Sequence, residues 1–401
     1  MPSIDTQLIT DLLTRGVEHV YPSFDFLEAR LKEGKRLRLY LGIDPTGTDL
    51  HIGHSIQLRK LREFQRLGHE VILLIGNFTA MIGDPTDKSA ARKRLTAEEV
   101  MDNAKAYKQQ ASKILDFGGE NPVQIKFNAD WLGKMSFADV VDLASHASVQ
   151  QMLERDMFQK RIDDDKPIYI HEFLYPLMQG QDSIAMDVDG EIGGNDQTFN
   201  MLMGRDLMKS VKGKEKFVVA TKLLVDSTGK KMGKTGGNMV RLMDAPADKF
   251  GKVMSWPDGL IVPGMELLTD MSMGEIKEAN IEIGDGANPK EHKMRLAFEL
   301  VKSLDGEQAA MSAKEAFVST FSKGEIPSEM PEFCLSGPAA IIDILVLSGL
   351  VSSKTDARRT IRQGGVKIAE KVVADENLQL DPSKAPFVLQ KGKHHFLRII
   401  A

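Results

Sequence analysis

The sequence predicts an α/β protein of two or three domains: a body built on a parallel sheet, and a small α+β tail. Three observations predict it. One is a strand–helix–strand run between Leu37 and Gly76. Another is a length of 401 residues, more than one hydrophobic core ordinarily supports. The third is a proline-bearing break, Gly324–Pro338, after which the charge changes sign.

Leu37–Ile43 reads as a buried strand. From Ser55 to Leu67 the apolar residues Leu58, Leu61, Phe64 and Leu67 recur at helical spacing, and Gly68 is a stop signal. VILLIG, 71–76, is the next buried strand. A strand, a helix and a strand in that order make a βαβ unit, which implies a parallel sheet with helices on its faces. Thr96 with Glu99 forms a capping box ahead of a helix to about Leu115. Residues 244–323 read as mostly helical. GEIPSEMPEFCLSGP, 324–338, carries three prolines and reads as a linker. A helix from about Pro338 to Leu350 follows. A second helix, KTDARRTIRQGG, ends in two glycines, and short alternating strands complete the tail. No internal repeat is visible.

Hydrophobic content of 42% and charged content of 27% describe an ordinary soluble globular chain. The single cysteine, Cys334, excludes an internal disulfide and fits a reducing compartment. MPSIDTQLIT is too polar and acidic for a signal peptide. VILLIG and AAIIDILVLSGLV are far shorter than the roughly 20 apolar residues that span a bilayer. The expectation is a cytoplasmic protein with no membrane partner. Net charge is −5 and unevenly spread. Residues 351–401 hold ten Lys and Arg against five acids, a tail of +5 on a body of −10. That asymmetry fits either a solvated surface or a polyanion partner for the tail.

LYLGIDPTGTDLHIGH, Leu39 to His54, places two histidines just after a strand and just ahead of a helix. Phosphate is favoured there, because unpaired backbone N–H groups and the helix dipole point at it. His51 and His54, three apart, share one face of the first turn. Gly53 between them leaves room for a flat ligand to approach the backbone. Imidazole N–H groups can donate to charge developing on a phosphoryl oxygen. On spacing alone, two polar surface histidines near a turn are the favoured reading. Zinc is disfavoured, since no cysteine or carboxylate stands at ligand spacing nearby.

DSTGKKMGKT, Asp226–Thr235, imitates the end of a Walker loop. Gly229 to Gly233 is one residue too short for that motif, and Gly236-Gly237 stand where its helix should begin. The remaining reading is a mobile loop in which Lys230, Lys231 and Lys234 close over a polyphosphate, with the glycines as hinges. A solvated lysine run is the plain alternative.

HIGH followed far downstream by KMGKT resembles the paired motifs of class I aminoacyl-tRNA synthetases. LYLGIDPT (39–46), TAMIGDPTDK (79–88), HEFLYPLMQGQDS (171–183) and GGNDQTFN (193–200) narrow the resemblance to tyrosyl-tRNA synthetases of the bacterial type. It runs along the whole chain. The tail is similar to the small RNA-binding domain that this family shares with a ribosomal small-subunit protein. The resemblance implies a Rossmann-like catalytic domain at 1–243 binding ATP and tyrosine. It further implies a helical anticodon-binding domain at 244–323, a linker at 324–337 and a small α+β RNA-binding domain at 338–401.

By that resemblance the hydroxyl of the substrate tyrosine is held by Tyr40 and Asp182. A phenol can donate to a carboxylate and accept from another phenol. Phenylalanine would leave both groups buried and unpaired. The α-ammonium falls to Asp84, Tyr175 and Gln179, with Thr79 beside them. Tyr175 and Gln179, four apart, can share a helix face. Gly42, Asp44, Thr46, His51, Gly53 and His54 line the ATP side. Gly194, Asp196 and Gln197 match the ribose and carboxylate contacts, Gln197 on the tyrosine side. Lys88 and Arg92 match positions that meet pyrophosphate together with Lys231 and Lys234. Lys354, Arg358, Arg359 and Arg362 of the basic helix are placed on tRNA phosphates. Taken singly, Asp44 and Asp84 are also good turn residues, and Asp182 could cap a helix end.

The implied reaction joins L-tyrosine to tRNA(Tyr) at the expense of ATP, through a tyrosyl-adenylate. Mg²⁺ is expected with ATP, no protein-borne metal site is indicated, and the implied assembly is a homodimer. Gln181, Asp87 and Glu191 depart from residues common in the family, as do Gly233 and Thr235 from the class pattern. A tryptophanyl-tRNA synthetase is disfavoured by the Tyr40–Asp182 pair, since an indole N–H needs only an acceptor. An RNA-binding paralogue without catalysis is disfavoured by the intact HIGH and KMGKT.

Overall fold

The computed structural model describes residues 6–84, 95–225, 239–322, 330–335, 337–351, 353–369, 371–392 and 395–400. The chain forms two compact units, Met1–Met311 and Ser312–Ala401.

The first unit is built on a six-stranded sheet of β1 (Val17–Tyr21), β2 (Arg38–Ile43), β3 (Glu70–Ile75), β4 (Gln124–Phe127), β5 (Gly190–Gly194) and β6 (Phe217–Thr221). The strand order is β1-β6-β5-β2-β3-β4. β2 to β6 are mutually parallel, and β1 is an antiparallel edge that the sequence does not announce. β5 and β6 are buried at every position. Burial on both faces is what helices covering a parallel sheet impose. β5 can lie against β6 because position 190 is glycine: a Cβ there would sit 2.1 Å from the Phe217 ring.

The predicted βαβ unit is β2, α1 (Ile52–Arg66) and β3, with Arg38 opposite Glu70 and Ile43 opposite Ile75. Leu58, Leu61 and Phe64 are the buried stripe of α1. The helix begins at Ile52, ahead of the expected Ser55, because His51 caps it. From β2 the chain builds outward to β3 and β4, whereas β5 leads to β6 on the other side. Neighbouring β2 and β5 therefore diverge at their carboxyl ends. A crevice at such a reversal is where ligands bind open α/β sheets.

Two longer helices flank the crevice, α2 (Ile170–Met186) and α3 (Thr198–Lys212). The Thr96–Glu99 capping box is present, but its helix is split into Ala97–Lys105 and Tyr107–Ala111. The break seats Tyr107, whose hydroxyl donates to the Gly47 carbonyl at 2.8 Å. The segment read as helical contains α4 (Pro246–Met254), α5 (Ile261–Leu268), α6 (Met273–Gly284), α7 (Pro289–Asp305) and a further helix at Glu307–Ser322.

The second unit holds β7 (Glu332–Cys334), β8 (Ala339–Ala340), α8 (Ile341–Leu347), α9 (Lys354–Arg362), β9 (Val366–Ile368), β10 (Lys371–Val372), β11 (Gln379–Leu380), β12 (Phe387–Lys391) and β13 (His395–Ile400). One sheet runs β10-β9-β12-β13-β7, and β11 pairs with β8. Ile341, Ile344, Leu345, Ile361, Val366, Leu389 and Ile399 form its core. β7 lies inside the stretch read as linker. It pairs in parallel with β13, and Phe333 packs on the core. The helix expected from Pro338 to Leu350 is shorter, because Ala339 and Ala340 pair with β11 instead. Among the described residues no helix is long and apolar enough to cross a membrane.

Candidate active site

His51 is the N-cap of α1, and its Nδ1 accepts from the Gly53 amide at 3.1 Å. His54 Nδ1 accepts from the His51 amide at 3.2 Å. The two rings stack with centroids 3.9 Å apart. A nitrogen that accepts carries no proton, so each neutral ring carries its proton on Nε2. The histidines thus serve orphan amides of the first turn with one nitrogen and present a donor with the other.

A hydrogen-bond chain crosses the crevice from the end of β2 to α2. Tyr175 Oη donates to Asp44 Oδ2 at 2.8 Å, and Thr79 Oγ1 donates to Asp44 Oδ1 at 2.7 Å. Asn128 Nδ2 donates to Thr79 Oγ1 at 3.0 Å and to Asp182 Oδ2 at 3.3 Å. Trp131 Nε1 donates to Asp182 Oδ1 at 2.8 Å. Asp44 fits only against glycine, since a Cβ on Gly76 would lie 1.9 Å from its Oδ1. Asp182 is buried within α2, not at a helix end. Burial pushes its carboxyl well above the usual range, the Trp131 and Asn128 donors act the other way, and Glu191 and Asp44 add to the rise.

Tyr40 is wholly buried on β2. Its hydroxyl lies 3.0 Å from Ser183 Oγ and makes a long donation, 3.4 Å, to the Gln179 carbonyl. Burial raises the Tyr40 hydroxyl, with Glu191 and Asp182 as the charges that raise it further. Tyr40 and Asp182 therefore share one buried environment, although neither bonds the other. Trp131 packs against the apolar cluster that holds Tyr40.

Asp84 Oδ2 accepts from Gln197 Nε2 at 2.7 Å, and Arg155 Nη2 lies 3.3 Å from Oδ1. Burial raises the Tyr175 hydroxyl, helped by Asp44 and then Asp84. The resemblance groups Tyr175, Asp84 and Gln179 together. Tyr175 bonds Asp44, with Asp84 nearby, and Gln179 Nε2 donates to Glu191 Oε1 at 2.8 Å.

Of the residues that the resemblance places on the ATP side, Gly42 is the one exposed position in an otherwise covered strand. Thr46 is exposed in the loop after it, its amide donating to the Asp44 carbonyl at 2.8 Å. Gly53 lies in the first turn of α1. A Cβ on Gly194 would meet Asp196 Oδ1 at 2.5 Å and Gln57 Nε2 at 3.3 Å. The end of β5 thus packs closely beside α1. Lys231 and Lys234 lie outside the described residues, as do Lys230, Lys88 and Arg92. The flanks of 226–238 are described. Upstream, Gln57 Nε2 donates to Thr221 Oγ1 at 3.0 Å. Downstream, the Ile52 amide donates to the Val240 carbonyl at 3.0 Å, and Arg241 pairs with Asp49 at 3.2 Å. Both flanks of the KMGKT stretch are therefore fastened beside the histidines.

In the second unit α9 carries Lys354, Arg358, Arg359 and Arg362. Lys354 pairs with Asp343 at 2.7 Å, Arg362 with Glu376 at 3.1 Å, and Arg359 with Asp356. Among the described residues Arg358 forms no ion pair, and no group of three His, Cys, Asp or Glu is placed to hold a metal ion.

Asn128, Trp131, Arg155, Ser183 and Lys216 escape the sequence reading. Ser183 has a signal, being next to Asp182. The others reach the crevice from distant loops and strand ends, and nothing local marks them.

Residues 32–322 match the family described as tRNA synthetases class I (W and Y), and residues 323–399 match a tyrosine–tRNA ligase SYY-like C-terminal domain. The tyrosine–tRNA ligase of Haemophilus influenzae is 45% identical over 401 residues, covering 100% of this chain and 98% of that protein. That of Haemophilus ducreyi is 44% identical over 388 residues, covering 96% of each. Among solved structures, a C-terminally truncated mitochondrial tyrosyl-tRNA synthetase from Coccidioides posadasii is similar at a TM-score of 0.63 and 25% identity, covering 77% of this chain and 91% of that one. With both units matched and the relatives aligned end to end, the chain belongs to the tyrosine–tRNA ligase family of class I tRNA synthetases.

Proposed function

We propose that the crevice at the carboxyl ends of β2 and β5 binds tyrosine and ATP side by side. The tyrosine phenol donates to Asp182 and accepts from Tyr40. Its ammonium lies toward Asp84, Gln179 and Tyr175, with Thr79 and Gln197 completing that end. ATP lies over Gly42, Asp44, Thr46 and Gly53, its ribose toward Gly194 and Asp196. The tyrosine carboxylate attacks the α-phosphorus, the bond to the bridging oxygen breaks, and pyrophosphate leaves. A terminal ribose hydroxyl of tRNA(Tyr) then attacks the tyrosyl carbonyl, and AMP leaves.

Neither step needs a covalent enzyme intermediate, so the crevice needs no nucleophile–base pair. Catalysis is positioning plus stabilisation of charge on the phosphates. The Nε2–H groups of His51 and His54 supply it at the start of α1. Lys88, Arg92, Lys231 and Lys234 act on the leaving pyrophosphate. Mg²⁺ enters with ATP as part of that substrate.

The second unit binds tRNA through α9. The enzyme acts as a cytoplasmic homodimer, with one tRNA touching both subunits. Exposed apolar side chains between 137 and 170 support the dimer, among them Phe137 at 84% and Ile170 at 82% exposure. Their exposure is what a partner surface would cover.

The observation that carries the tyrosine pocket is Asp182, buried and held on both oxygens by Trp131 and Asn128 beside Tyr40. ATP–pyrophosphate exchange with each amino acid tests it. Tyrosine should be the substrate that supports exchange, and Asp182→Ala should lower kcat/KM for tyrosine by more than about a hundredfold. A variant within about threefold of wild type, roughly 0.6 kcal/mol, overturns the assignment.

A further inference from the structure

Glu191 is 2% exposed at the floor of the crevice, and Lys216 is 0% exposed beside it. Lys216 Nζ donates to Glu191 Oε2 and, at 2.9 Å, to Ser183 Oγ. Glu191 Oε1 accepts from Gln179 Nε2 at 2.8 Å. Ser183 Oγ lies 3.0 Å from the Tyr40 hydroxyl. Position 204 on α3 makes the room: a Cβ on Gly204 would sit 2.7 Å from Lys216 Nζ. One buried ammonium thus heads two arms, one ending on Gln179 and the other on Tyr40.

We propose that the Lys216–Glu191 pair, with Ser183, is a positioning device that sets the specificity of the tyrosine pocket. The proposal rests on the reading that this pocket binds tyrosine. An ammonium has protons and no lone pair, so Lys216 can only donate. Ser183 Oγ accepts from it and turns its own proton toward Tyr40. Tyr40 then receives one hydrogen bond, and its own proton turns from the long donation to the Gln179 carbonyl toward a phenolic oxygen of the ligand. On the other arm, Glu191 can only accept. It claims the NH₂ end of Gln179 and turns the carbonyl end toward a ligand ammonium. A glutamine at 191 could donate or accept, and would leave that amide free to flip.

Stability does not explain the pair. Replacing a buried ion pair by neutral groups of similar volume is often neutral or stabilising, whereas removing one partner strands a charge. Orientation does explain it, because fixed donor and acceptor ends are what distinguish tyrosine from phenylalanine.

The test measures ATP–pyrophosphate exchange with tyrosine and with phenylalanine, alongside thermal melts. The variants are Ser183→Ala, the double Glu191→Gln/Lys216→Met, and Asp182→Ala as reference. Ser183→Ala and the double variant should each raise KM for tyrosine about tenfold, leave KM for ATP within about twofold, and lower the tyrosine-to-phenylalanine ratio of kcat/KM about tenfold. An unchanged ratio with only a lower Tm means that the pair is structural, and overturns the proposal. Should the double variant fail to fold, Ser183→Ala decides alone, since it removes one hydroxyl and keeps the ion pair. If Asp182→Ala also keeps wild-type discrimination, the pocket assignment itself falls. If only Asp182→Ala loses it, the pocket stands and the positioning role falls.

Discussion

His51 and His54 each divide two tasks between two nitrogens, and the division is testable. Nδ1 caps the helix, which is worth about 1 kcal/mol at an N-cap. Nε2–H is the donor proposed for the phosphate side. Asparagine keeps an acceptor near the Nδ1 position and lacks the distal donor. His51→Asn should therefore preserve thermal stability, slow adenylate formation about tenfold or more in single turnovers, and hardly move tyrosine affinity. Unchanged chemistry with only weaker ATP binding would remove the transition-state role. The histidine pair is legible in the sequence, through its spacing around Gly53 and its place after a strand. Which ring nitrogen faces the backbone is not, because that depends on the cap geometry. Asp182 is legible by resemblance as well. Its donors Asn128 and Trp131 are not, since they lie more than fifty residues away and meet it only through the fold.

At the scale of elements, continuous apolar runs make β2 and β3 legible to within a residue of their ends. Elements set by long-range pairing are not legible in this way. β1 and β7 lie at sheet edges and take their form from β6 and β13. The basic helix α9 is legible from Lys354 to its closing glycines, but its ion pairs are not. These pairs are exposed, with Lys354 at 63% and Arg359 and Arg362 at 69% side-chain exposure. Exposed pairs contribute about 0–1 kcal/mol, so exchanging a carboxylate for a tRNA phosphate costs little. Among the described residues Arg358 has no such exchange to make. Arg358→Ala should lower kcat/KM for charging and reduce the salt slope of tRNA binding by about one unit, while pyrophosphate exchange stays at wild type. A slope that does not move takes Arg358 off the phosphate backbone.

At the scale of the molecule, the charge split is plain in the amino-acid sequence: a tail of +5 on a body of −10. On that split we propose that the tail binds tRNA and that the body carries out the first reaction without it. The break between compact units falls after Met311, and the family matches meet at 322 and 323. Pro331 immediately precedes β7, so a chain ending there loses every strand of the second unit's sheets and keeps the whole six-stranded sheet. That truncation should fold, remain dimeric by light scattering, and keep ATP–pyrophosphate exchange near wild type. It should lose most charging of tRNA(Tyr), with the deficit greatest at low salt, where the basic tail contributes most. Full charging by the truncated chain at physiological salt removes the tail from the mechanism. Loss of exchange together with charging makes the tail part of the body's stability, and moves the functional boundary downstream of Pro331.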